Sequence, residues 1–211
     1  IDRSVELLVA TPAVVAAGQS LTLQLRLDAA APGNVSGTLT ITSDDADESA
    51  FRITLTGRVI TPEITVREGA APPLTELTDG QATAVDYGIV RQTSPQSKVL
   101  TVLNAGTAPL LISSVSVPPG YSLPDLPPLP VTVTAGQSLV VRLQLDAAAP
   151  GTFSGSIRVE SDDLDEPVFD FPVTGTVVTP EITVYDGAIL TAPEVSDGQI
   201  NPVHFGTARQ G

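Results

Sequence analysis

The 211-residue chain carries 24 Asp and Glu against 10 Lys and Arg, a net charge of −14, which disfavours nucleic acid and anionic lipid as partners through like-charge repulsion. It has no cysteine, excluding disulfides, thiolate catalysis and cysteine-based metal centres, and no run of ~18 apolar residues to insert this segment into a membrane. With 42% hydrophobic residues there is enough to pack a core, and 19 Pro and 17 Gly punctuate it into short elements, the profile of an all-β protein.

In chain order, the first strand signal is residues 21–27, where Leu21, Leu23, Leu25 and Leu27 alternate with Thr22, Gln24 and Arg26. Period two with one apolar face is a half-buried strand. Leu39 and Ile41 extend the same apolar face, and the acidic stretch "SDDADES" follows at 43–49. The six residues "TPEITV" at 61–66 open a new series, with strands predicted over 63–66, 85–89, 98–104 and 110–117. "NAGTAP" at 104–109, like "AAGQS" and "TAGQS" around Gly18 and Gly136, sets a glycine between strands, where a positive φ is cheap only for glycine. The Pro-rich "LPDLPPLP" at 123–130 cannot join a central ladder and reads as a surface crossover. Beyond it, Leu139, Val141, Leu143 and Leu145 form one apolar face, Ile157 and Val159 the next, and Phe169, Phe171 and Val173 the last. Pro172 has no amide hydrogen, so its strand is expected at an edge or bent there. Seven to eight strands bounded by Gly, Pro, Asn or Asp predict a two-sheet antiparallel sandwich.

"TPEITV" then returns at 179–184, 118 residues after its first appearance. Offsetting the chain by 118 makes 30 of 50 positions identical over 17–66 against 135–184, without a gap. Asp79-Gly80-Gln81 recurs as Asp197-Gly198-Gln199, and Tyr87-Gly88 as Phe205-Gly206. A period of this length marks a tandem array of domains. The expected organisation is the closing half of one repeat over 1–60, a complete repeat over 61–178, and the opening of a further repeat over 179–211. "TPEITV" is the junction, stiffened by Pro62 and Pro180. The half-repeat needs its apolar face covered from outside 61–178, so the expected partners are neighbouring copies of the repeat, in the same chain or head-to-tail between chains by strand addition.

The stretch "VLTVLNAGTAPLLISSVSV", then "AGQS", "DAAAPGTFSGSIRVESDDLDEPVFDFPVTG" and "PEITV", resembles the choice-of-anchor D repeat of bacterial surface proteins. That group is similar to ASH-type immunoglobulin-like domains, relatives of major sperm protein. The resemblance implies a tandem Ig-like β-sandwich in a large secreted or surface-anchored protein, generally without catalysis.

Candidate sites are few. Asp44, Asp45, Asp47 and Glu48 in the first acidic loop, and Asp162, Asp163, Asp165 and Glu166 in the second ("SDDLDEP"), gather carboxylates of the kind calcium prefers. The same residues also read as solvated hairpins in which Ser and Asp cap backbone amides. No other cofactor is implied. His204 is the sole histidine and its counterpart one repeat earlier is Asp86, so a catalytic triad has no support. A glycosidase pair is opposed by the polar setting of the adjacent carboxylates, with nothing apolar nearby to raise one pKa. The Phe residues read as core; Tyr121 borders the Pro-rich loop, where exposure is open to it, and one tyrosine is a poor sugar platform. No Gly-rich phosphate loop is present. The expectation is therefore a non-catalytic structural repeat of an extracellular or cell-surface protein: a stalk, adhesin segment or filament shaft. The alternative is an adaptor that recognises a protein or glycan through loops at one end of the sandwich.

Overall fold

The computed structural model describes residues 5–7, 13–187, 192–204, 206, 207 and 209–211, so Phe205 of the repeat match lies outside the described residues. The opening segment holds β1 (Val5–Leu7), β2 (Leu25–Leu27), β3 (Gly33–Thr42) and β4 (Ala50–Val59). The middle holds β5 (Ile64–Glu68), β6 (Thr75–Glu76), β7 (Val85–Arg91), β8 (Gln96–Asn104), β9 (Leu110–Ser116), β10 (Tyr121–Ser122), β11 (Val131–Val133), β12 (Ser138–Leu145), β13 (Gly151–Ser161) and β14 (Val168–Val178). The closing segment contributes β15 (Val184–Tyr185) and β16 (Glu194–Val195). Among the described residues no helix is long and apolar enough to cross a membrane.

The middle strands form an Ig-like sandwich of two five-stranded sheets, ordered β10-β12-β8-β5-β6 and β11-β9-β13-β14-β7. Seven of the ten are longer than three residues, in line with the seven to eight expected; β6, β10 and β11 are short additions that carry no periodic signal. Strict alternation decides the faces. Along β14 every second residue from Phe169 to Val177 is buried while its neighbours are half-exposed. Val141, Leu143 and Leu145 of β12 meet Phe169, Phe171 and Val173 of β14 and Ile157 and Val159 of β13 in one core. The Pro-rich crossover runs from β10 in one sheet to β11 in the other, and Leu123, Leu126 and Leu129 pack it against that core.

Two tyrosines pin the sheets together. Tyr87 of β7 donates its hydroxyl to the Leu143 carbonyl at 2.6 Å, and Tyr121 of β10 donates to the Phe153 carbonyl at 3.2 Å. Their rings meet edge to face at 5.5 Å. Burial, with the nearby Asp86 charge, pushes the Tyr121 hydroxyl pKa up to about 12, so it remains a donor. Tyr121 is thus buried rather than exposed, its ring set against Tyr87 and its hydroxyl turned into the sandwich near Gly175, where a Cβ would stand 2.7 Å from Leu145 Cδ2, 2.9 Å from Tyr87 Cβ and 3.6 Å from the Tyr121 hydroxyl.

Three further expectations are corrected. Of the two placements expected for Pro172, an edge or a bend, the edge is corrected: its strand is interior, between β13 and β7. The Asp170 amide donates to Asp79 Oδ1 and its carbonyl accepts from the Gly80 amide, so this side of β14 faces away from β13. Pro172, two residues on, faces the same way, just ahead of Val173, where β7 begins to pair; no ladder donor is needed there. Second, β7 joins β14 in parallel, so the sheet is mixed. Third, the predicted strand over 21–27 shortens to β2, and Leu21, Leu25 and Leu27 are 45%, 37% and 39% exposed.

The core predicts its own sensitivities. Phe171→Ala, at a fully buried site, is expected to lower unfolding free energy by about 3–5 kcal/mol. Val140→Ala, at a half-exposed site on β12, should change it by less than about 0.5 kcal/mol; urea unfolding followed by circular dichroism measures both.

Candidate functional site at the entering strand

β4 ends at Val59 and β5 begins at Ile64, so four residues carry the chain from the opening segment into the sandwich. Backbone groups in so short an entry pass close against the sandwich, and the "NAGTAP" loop supplies their partners. The Thr61 carbonyl accepts from the amides of Thr107 (2.7 Å) and Ala108 (2.9 Å), and the Thr61 amide donates to Thr107 Oγ1 at 3.3 Å. The Glu63 carbonyl accepts from the Ala105 amide at 2.8 Å. Asn104, fully buried, completes the clasp. Its Oδ1 accepts from the amides of Glu63 (3.3 Å) and Gly106 (3.0 Å), and its Nδ2 donates to the carbonyls of Ala108 (2.8 Å) and Val133 (2.9 Å).

Gly106 is needed here for a reason other than the expected positive φ, which it does not adopt. A Cβ on Gly106 would lie 2.4 Å from the Thr61 carbonyl oxygen and 2.6 Å from both Pro62 C and Glu63 N. The loop lacks a side chain because the entering backbone occupies that space. Gly18 and Gly136 do take positive φ, of 74° and 75°.

The acidic hairpin closes over the other side of the entry. Asp163 is only 2% exposed, and its Oδ2 accepts from the Ile64 amide at 2.8 Å, across 99 residues of sequence. Its Oδ1 is buried with no hydrogen-bond partner. An acceptor left in that condition costs about 1–3 kcal/mol. Glu63, Asp163 and Asp165 each bring a carboxylate oxygen within 4.8 Å of the others. Burial, foremost, raises the pKa of Asp163, and the Asp165 carboxylate adds to it. Glu63 is raised by partial burial and then by the charges of Asp163 and Asp165. Glu166, half-buried, is raised by burial and by Asp79, Asp163, Glu63 and Asp165. The expectation that nothing apolar stands near these carboxylates therefore fails for Asp163.

Of the eight carboxylates singled out in the sequence, the structure brings together Asp163 and Asp165. Asp162 is turned away, its Oδ1 accepting from the Leu111 amide at 2.7 Å. In the first loop, Asp44, Asp45, Asp47 and Glu48 are all exposed. Both loops share one local form: Ser43 and Ser161 amides donate to the Ser49 and Pro167 carbonyls at 3.1 Å, and Ser43 and Ser161 Oγ accept from Asp45 and Asp163. Asp47 donates its amide to Asp45 Oδ1, and the Asp45 pKa is lowered chiefly through its contact with Asp47. This loop is the solvated hairpin. Glu63 was missed because it reads as part of a strand; its recurrence within both copies of "TPEITV" was the available signal. His204 is exposed, among described residues, at a polar position.

Residues 79–177 match the family DUF1573, described as a protein of unknown function. That stretch includes Asn104, Asp163 and Asp165 but not Glu63. A comparison with curated proteins finds no match. Among solved structures, the chain is similar to an ASH/PapD-like domain of human CEP192, at 12% identity and a TM-score of 0.36, covering 54% of this chain and 96% of that one. It is similar to a protein of unknown function from Porphyromonas gingivalis W83, at 17% identity and 0.38, covering 73% and 89%. A third similarity is to a family 123 glycoside hydrolase from Clostridium perfringens, at 13% identity and 0.35; it covers 45% of this chain and only 23% of the hydrolase.

Asn104→Ala would strand two amides and two carbonyls in the clasp, and is expected to cost about 3 kcal/mol or more. Gly106→Ala should cost about 1–3 kcal/mol by pushing the entering backbone away. Amide hydrogen exchange distinguishes local from global damage: in Gly106→Ala the Ile64 and Val66 amides should lose protection before those of β12 and β13.

Proposed function

We propose that this chain is a stretch of a tandem array of Ig-like modules of the choice-of-anchor D kind, serving as a non-catalytic structural element of an extracellular or cell-surface protein. The array provides reach and shape as a stalk, adhesin segment or filament shaft. Its partners are neighbouring copies of the same module, in the same chain or head-to-tail between chains.

The observation that carries this reading is a set of matched positions with opposite exposure. Leu143, Leu145, Phe169 and Phe171 of the middle sandwich are 0–3% exposed. One repeat earlier, Leu25, Leu27, Phe51 and Ile53 are 37%, 39%, 49% and 39% exposed. The paired register is also shared: Gly33 faces Val59 on β3 and β4 as Gly151 faces Val177 on β13 and β14. In the middle sandwich residues of β5, β7, β8 and β9 complete the core around this face. An equivalent cover from a neighbouring copy removes the exposed apolar surface from water, at ~25 cal/mol per Å2. The four-residue entry, clasped by residues 104–108, holds successive modules at short range rather than on a free tether. The adaptor alternative draws no support from aromatic loops, since none of the five aromatic residues of the middle sandwich is exposed.

Sedimentation of the 211-residue chain over a range of micromolar concentrations tests this. Self-association is expected, and Leu27→Asp with Phe51→Asp should abolish it without moving the unfolding transition of the middle sandwich. A monomer at every concentration, with β3 and β4 strongly protected from hydrogen exchange, contradicts the reading.

A further inference from the structure

We infer that Glu63, Asp163 and Asp165 form a calcium site that ties the entering strand to the acidic hairpin. The inference stands apart from the proposed structural role, since a cation there requires no neighbouring module.

Three features of the geometry lead to it. First, one carboxylate oxygen from each residue lies within 4.8 Å of the other two, so small side-chain adjustments bring all three onto one ion at the ~2.3–2.6 Å of calcium, whose flexible coordination suits such a set better than the near-ideal octahedron at ~2.0–2.1 Å that magnesium demands. Second, Asp163 is 2% exposed and one of its oxygens lacks any hydrogen-bond donor, while the Ile64 amide holds the other. The carboxylate is fixed in orientation, with an unanswered negative end beside two further carboxylates. Third, the ion pairs of the middle sandwich join Arg67 to Glu76, Lys98 to Glu68, Arg142 to Asp125 and Arg158 to Asp170, leaving this trio out. Three like charges held so close call for a positive partner, and an all-oxygen donor set selects a hard cation.

One ligand comes from the entering segment and two from a hairpin a hundred residues later, so a bound ion crosslinks the entry to the sandwich. The first hairpin offers a contrast within the same molecule. Asp45 and Asp47 occupy the positions of Asp163 and Asp165, yet Asp45 is exposed where Asp163 is buried, and no third carboxylate joins them among the described residues. Glu181 of the second "TPEITV" belongs to no carboxylate group of this kind among the described residues. Among the described residues there is therefore one complete site.

Calcium titration of the chelator-stripped 211-residue chain, by calorimetry and thermal unfolding, tests the assignment. The expected result is one site per chain with Kd of about 10⁻⁴–10⁻³ M. Unfolding midpoint should rise by about 5 °C in excess calcium and return on chelation, with magnesium giving less than about half that rise. Glu63→Gln and Asp165→Asn, both at exposed carboxylates and so expected to fold, should each weaken binding about tenfold or more and remove the shift. Asp162→Asn, outside the trio and still able to accept from Leu111, should leave both unchanged. No calcium heat and no thermal shift in the unaltered chain would overturn the site. So would binding that Asp162→Asn weakens as much as Glu63→Gln, the mark of a diffuse acidic surface.

Discussion

A backbone entering a sandwich at close range brings amides and carbonyls that water cannot reach, and each must find a protein partner. Here one side chain, Asn104, answers four such groups at once, two as acceptor and two as donor. Neither aspartate nor alanine could do so: the first has no donors at neutral pH, the second has no polar atoms. The rest of the entry depends on this clasp. Gly106 lets the loop reach the backbone, Thr107 and Ala108 hold Thr61, and β5 then aligns on β8 with Ile64 opposite Asn104. Ile64 and Val66 enter the core only because the backbone before them is already held.

The opposite side of the same entry is electrostatically strained. The Ile64 amide holds one oxygen of Asp163 while the other is desolvated without a hydrogen-bond partner, and the carboxylate stands beside those of Glu63 and Asp165. Structural and electrostatic roles thus meet in one place: the hairpin that satisfies a backbone donor also concentrates negative charge. The raised pKa values of Glu63, Asp163 and Glu166 record that concentration.

Much of the sandwich was legible in the sequence. The inward faces of β12, β13 and β14 follow from period-two alternation, and the burial of Leu143, Ile157 and Phe171 agrees with it. Short elements such as β6, β10 and β11 were not legible, because two or three residues cannot display a period. Pro172 misled because a missing donor matters only on the side that has a partner, and which side that is depends on where β7 begins. Tyr121 misled because proximity to a Pro-rich stretch says nothing of which way a ring turns. Within the candidate site, Asp163 and Asp165 were visible as part of an acidic run. Glu63 was not, since its approach to them spans about a hundred residues.

The two copies of "TPEITV" separate what each level decides. Identical residues give the same local tendency toward an extended, proline-led segment, together with the repeat period and the alternating faces. These are properties of covalent geometry and side-chain spacing, and the sequence alone determined them. Exposure is different: Ile64 is 2% exposed and Ile182 83%, Val66 0% and Val184 50%. Only the tertiary structure decided that difference, because burial depends on whether residues distant in the chain, Asn104 and Asp163 above all, are there to receive the strand.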